Sequence, residues 1–80
     1  MTQWEHEVAT LWAGLLGRDP SAISVEADFF QLGGDSLVFV QFLIAAQERF
    51  SVEIMVDELY ESGFTVRAVA EVLSSGAGVA

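Results

Sequence analysis

Trp4, Val8, Leu11, Trp12 and Leu15 recur at helical spacing near the start of the chain, which predicts an amphipathic helix over residues 3–16. Both ends of that helix are marked. Thr2-Gln3-Trp4-Glu5 fits a capping box, in which the threonine hydroxyl and the glutamate carboxylate each accept the other residue's backbone N–H. Gly17 stands where a left-handed C-cap belongs. Trp4 and Trp12 then fall in the core or at its edge. Asp19-Pro20 breaks the pattern, and a long connection runs on to Asp35. Ile23, Val25, Phe29, Phe30 and Leu32 make this stretch too apolar for a free loop, so it is expected to tuck under the helices.

A second helix is predicted over residues 36–50. On a wheel of about 100° per residue, Phe39, Phe42, Leu43, Ala46 and Phe50 share one side, the expected core face. Leu37, Val40 and Ile44 gather roughly a right angle or more away. Three phenylalanines already supply the core side, so this second stripe exceeds what a small core needs. It reads as a docking surface, most clearly at Leu37 and Ile44, with Val40 nearer the core edge. Val52 and Ile54 alternate in a short extended link. Residues 57–62 make one or two helical turns, with Leu59, and Tyr60 beside it, turned inward. Gly63-Phe64 turns the chain, Thr65 caps a last helix, and Val66, Val69, Ala70 and Leu73 form its buried stripe. The predicted fold is all-α, a small bundle of three main helices plus one short helix. Residues 1–74 form the domain, and residues 75–80 have the composition of a flexible tail.

Eighty residues hold one domain and a modest core, not an enclosed catalytic cleft with a lid. The hydrophobic fraction of 52% excludes disorder despite a formal charge of −9. Twelve acids face only Arg18, Arg49 and Arg67, with no lysine, so the surface repels nucleic acid and anionic membranes and attracts basic protein patches. The absence of cysteine excludes disulfides and thiolate metal sites, and any thioester chemistry would need a thiol from elsewhere. No apolar run approaches the ~20 residues that span a bilayer, and the polar start lacks the basic region of a signal peptide. A cytoplasmic monomer is expected.

The candidate chemistry is concentrated in Phe29-Phe30-Gln31-Leu32-Gly33-Gly34-Asp35-Ser36-Leu37. Two glycines permit backbone angles that other residues avoid, and they deliver a hydroxyl to the front of an apolar helix. Ser36 or Asp35 serves as N-cap there, and the N–H groups beyond it suit a phosphate. Gly34-Asp35-Ser36-Leu37 also spells a lipase and esterase signature. A serine hydrolase needs a base to take the hydroxyl proton, yet the one histidine, His6, lies in the first helix, where it is expected to be exposed. The acids show no EF-hand ladder, since Asp28 and Asp35 lack the intervening ligands. They read as a solvated face.

Phe29-Phe30, one spacer and Leu32 to Leu37, followed by an apolar helix ending in Glu48-Arg49-Phe50, resemble the modification site of the carrier-protein family. The order of elements extends the resemblance over nearly the whole chain, closest to the peptidyl carrier (thiolation) proteins of non-ribosomal peptide synthesis. The resemblance implies an acyl-carrier-like bundle with a 4′-phosphopantetheine arm on Ser36 and no catalytic residue of its own. It also implies that Asp35 and Leu37 are recognised by a phosphopantetheinyl transferase, and that Leu37, Val40, Gln41 and Ile44 dock partners. Those partners would be an adenylating enzyme and downstream condensing, tailoring or acyltransferase enzymes. Asp35 is shared with acyl carriers of polyketide pathways, whereas Gly33-Gly34 and the neutral Val38 and Gln41 favour the peptidyl class. A start at Met1 and a short tail suggest a stand-alone protein, with an excised module domain as the alternative. An unmodified acidic helical adaptor is the rival of another class. One departure is visible: the family commonly has proline just before the threonine that opens the last helix, and Ser62-Gly63-Phe64 stands there instead, one residue longer.

Overall fold

The computed structural model describes residues 2–77. Among the described residues four helices follow one another: α1 (Gln3–Leu16), α2 (Ser36–Phe50), α3 (Val56–Ser62) and α4 (Val66–Ala77), with a 3-10 turn at Pro20–Ala22 in the long connection. The capping box forms, with the Thr2 N–H donating to Glu5 Oε1 at 2.6 Å and the Glu5 N–H to Thr2 Oγ1 at 3.2 Å. Gly17 closes α1 in the left-handed region at φ 68°. Thr65 Oγ1 accepts the Ala68 N–H at 3.1 Å and so caps α4.

α1 and α2 run antiparallel. The start of α1 meets the end of α2 through the Trp4–Phe50 ring contact at 5.2 Å and the Arg49–Glu7 ion pair at 3.3 Å. α1 also packs along α4, and α3 lies on α4. Trp12, Phe29, Phe42, Leu59, Leu73, Val8, Val66 and Val69 are fully enclosed. Each such side chain contributes about 1.5–3 kcal/mol by leaving water. The Trp12 indole N–H is buried with no hydrogen-bond partner among the described residues, its ring edge-to-face with Phe29 at 5.0 Å and with Phe42 at 5.8 Å.

Several expectations change. Phe50 is only partly buried, because at the last turn of α2 it reaches the core edge against Trp4. Tyr60, expected to face inward, is 74% exposed. α3 has a single inward direction, which Leu59 takes, and the next residue points roughly 100° away. Phe30 is half-exposed, while Ile23 and Phe29 are buried as expected. α4 continues to Ala77, so the backbone at residues 75–77 is helical where a tail was expected. Residues 78–80 of that tail lie outside the described residues. No helix among the described residues is long and apolar enough to cross a membrane.

Candidate functional site

Ser36 begins α2 and does not cap it. Asp35 is the cap, with extended backbone at φ −124° and its Oδ1 accepting the Val38 N–H at 2.9 Å. The Asp35 carbonyl takes the Phe39 N–H at 2.9 Å. A carboxylate is the better acceptor at the positive end of a helix, which decides between the two candidates. The Ser36 hydroxyl is thereby spared. Its residue is exposed, and its side chain makes no hydrogen bond among the described residues.

The loop that leads to Ser36 is tightly held. Asp28 Oδ1 accepts the N–H groups of Phe30 at 2.8 Å and Gln31 at 3.3 Å. The N–H groups of Leu32, Gly33 and Gly34 donate back to Asp28, Phe30 and Phe29 at 3.0, 3.2 and 3.1 Å. The other edge is stitched to α4. Phe29 N–H donates to Phe64 O, Val66 N–H to Ala27 O and Arg67 N–H to Val25 O, at 3.0, 3.2 and 2.9 Å. The two glycines have different reasons to be there. Gly33 sits at φ 107°, which a side chain disfavours. Gly34 has no positive φ, contrary to the shared role expected for the pair. A Cβ on it would lie 2.3–2.8 Å from the buried Phe29 ring.

Beyond Ser36, α2 divides as its pattern predicts. Phe39, Phe42, Leu43 and Ala46 are buried, whereas Leu37 is 69%, Val40 48% and Ile44 54% exposed, with Gln41 exposed among them. Met55, Val56 and Tyr60 are further exposed apolar side chains that periodicity did not single out, because α3 is too short to show a period. Tyr60 connects to α2 through aromatic contacts, touching Phe64 at 5.6 Å, which touches Phe39 at 5.2 Å.

The one histidine lies far from Ser36. His6 neighbours Glu7, which pairs with Arg49 at the far end of α2. Thirteen helical steps separate Arg49 from Ser36, about 20 Å at 1.5 Å per residue, so His6 cannot serve that hydroxyl. Among the described residues no group of three His, Cys, Asp or Glu could hold a metal. The two perturbed carboxyls lie elsewhere. The Thr2 backbone N–H holds Glu5 below the usual carboxylate range against the opposing effect of burial, aided by the Thr2 side chain and Arg67. The Ser21 hydroxyl and N–H do the same for Asp19.

Residues 6–73 match the family described as phosphopantetheine attachment site. The chain is 44% identical over 59 residues to FR901469 synthetase of Dothideomycetidae sp. (strain 11243), which covers 74% of the chain. It is 39% identical over 80 residues to the PKS-NRPS hybrid synthetase cheA of Chaetomium globosum, covering 92% of the chain, and 37% identical over 60 residues to tyrocidine synthase 3 of Brevibacillus parabrevis, covering 75%. It spans 2% or less of the length of each of these relatives.

Proposed function

The chain belongs to the phosphopantetheine attachment-site family, whose domains carry that group covalently, and from this premise we propose that it is a peptidyl carrier with the arm on Ser36. The observation that carries the reading is the exposed Ser36 hydroxyl at the first position of α2, released from capping by Asp35 and far from the one histidine. The site fits a phosphate diester. Val38 and Phe39 N–H groups are taken by Asp35, which leaves those of Ser36 and Leu37 at the positive end of α2. The chain supplies the hydroxyl and its placement. A phosphopantetheinyl transferase, holding its own magnesium, transfers the arm from coenzyme A and recognises Asp35 and Leu37. The bound arm supplies the thiol that this cysteine-free chain lacks, on which an aminoacyl group is held as a thioester.

Leu37, Val40, Gln41 and Ile44 form the docking stripe for the transferase, for an adenylating enzyme that loads the thiol, and for condensing, tailoring or acyltransferase partners. Tethering replaces diffusive encounter by a high local concentration of cargo. Residues 1–74 constitute this carrier unit, whether the chain stands alone or continues into a synthetase. It works as a monomer in the cytoplasm. The matched PKS-NRPS hybrid and the acid at Asp35 keep a polyketide-type acyl carrier as the second reading, which differs in the cargo that loads.

Incubation with coenzyme A and a promiscuous transferase tests the assignment. Wild-type protein gains the mass of one arm. Ser36→Ala gains none and melts at the wild-type temperature, because Asp35 retains the cap. An arm on Ser36→Ala, or no arm on the wild type, refutes the reading; the latter outcome is that of an unmodified adaptor.

A further inference from the structure

Arg18 is set just past the capped end of α1, where the N–H groups of Gly17 and Arg18 both close on the Ala13 carbonyl, the latter at 2.9 Å. Its Nε donates to the Leu32 carbonyl at 3.0 Å, across fourteen positions of sequence. The other two arginines make ion pairs, Arg49 with Glu7 and Arg67 with Glu5 and Glu26. Arg18 makes none among the described residues. In an acidic chain that spends its few cations on carboxylates, this one is spent on a neutral carbonyl.

The location of that carbonyl gives the bond its use. Only Gly33 and Gly34 separate Leu32 from the capping Asp35, and glycine has the freest backbone of any residue. Asp35 fixes the far side of this pair through Val38. A charged donor on Leu32 O, although exposed to solvent, ties the near side to the end of α1. We propose that Arg18 is a positioning residue for arm attachment, clamping the loop so that the glycine pair presents Ser36 in one orientation. This rests on Ser36 being the acceptor.

The test is steady-state arm transfer from coenzyme A by a promiscuous transferase to wild type, Arg18→Ala and Arg18→Lys, with melting temperatures and amide exchange on each. For Arg18→Ala, kcat falls about fivefold, the factor that one hydrogen bond is worth. KM for the carrier stays near wild type because Leu37, Val40 and Ile44 are untouched. Loss of attraction cannot cause the fall, since removing a cation makes the chain more acidic and favours a basic partner. Arg18→Lys recovers part of the rate by donating to the same carbonyl. The Gly33 and Gly34 amides, which donate to Phe30 and Phe29, exchange faster in Arg18→Ala while core amides of α1 do not. An unchanged kcat in Arg18→Ala overturns the proposal. So does a loss that Lys fails to recover and that comes with faster exchange throughout α1, because the role is then structural. Wild type that takes no arm refutes the Ser36 reading itself, and this proposal with it.

Discussion

α1 and α2 are nearly equal in length, 14 and 15 residues, yet they are finished to different standards. α1 begins in a full capping box, ends on a left-handed glycine, pairs Glu5 and Glu7 with Arg67 and Arg49, and exposes no large apolar side chain. α2 begins on a single carboxylate, ends on a serine forced to φ 54°, and holds Leu37, Val40 and Ile44 out to water. Apart from the unpartnered Trp12 indole N–H, the caps, ion pairs and apolar side chains of α1 are satisfied within the domain. α2 is satisfied on one face only, and its other face lies beside the serine that takes the arm in the reading proposed above. The difference separates a helix that serves the fold from one that, in that reading, also serves partners.

The comparison breaks most sharply within α2 itself. Phe42 is fully buried and touches the rings of Trp12, Phe39 and Phe29 at 5.8, 5.8 and 6.4 Å. Phe42→Ala is expected to cost about 3–5 kcal/mol, a large part of the stability of a domain this small. Leu37→Glu and Ile44→Glu are expected to leave the melting temperature nearly unchanged, since little area is buried and glutamate favours the helix. Either change should slow arm transfer at least about tenfold, because a partner must desolvate an unmatched charge. Thermal melts and loading rates on the three variants decide the matter. If the glutamate variants unfold as Phe42→Ala does, the exposed stripe is part of the core and α2 has no second face.

What the sequence disclosed about these helices follows the range of the interactions involved. The capping box of α1, Gly17, the Thr65 cap and the two-faced pattern of α2 depend on residues three or four apart, and all were legible. The cap of α2 was ambiguous because Asp35 and Ser36 are both good cap formers, and only the backbone shows which is extended. Gly33 and Gly34 looked alike. The reason for Gly34 lies in a ring five positions back, whose rotamer no local pattern encodes. The inward place of Tyr60 failed because the seven residues of α3, about two turns, carry no measurable period. Arg18 reaching Leu32 is a contact of tertiary range and left no signal.

A smaller effect separates the helices by pH. Glu5 is held below the ordinary carboxylate range chiefly by the Thr2 N–H. A carboxyl more acidic in the fold than in the unfolded chain contributes stability above its unfolded value and loses it as pH falls through the lowered one. Glu5→Gln keeps an oxygen that can accept the bond but loses the charge. The gap in melting temperature between wild type and Glu5→Gln should therefore be widest near neutrality and close as pH drops below the usual carboxylate range. A gap that does not change with pH would mean that the carboxylate charge adds nothing to the start of α1.

The smallest expected effect repairs the end of α2. Gly17 and Ser51 both end their helices in the left-handed region, at φ 68° and 54°, but only Ser51 carries a Cβ there. That conformation costs a side-chain-bearing residue about 1–2 kcal/mol, partly offset in Ser51→Gly by the roughly 0.5–1 kcal/mol of extra entropy that glycine loses on folding. The net gain expected is about 0.5–1 kcal/mol, several degrees of melting temperature in a domain of this size. Ser51 lies at the opposite end of α2 from Ser36 and is exposed, so arm transfer should proceed at the wild-type rate. Thermal melts and transfer kinetics on this one variant read both quantities. A stabilised Ser51→Gly that loads normally would show that the unfinished end of α2 is not needed for arm attachment. A stabilised variant that loads slowly would tie the strain at Ser51 to movement of α2 during transfer, and the division between the two helices would then extend to their dynamics.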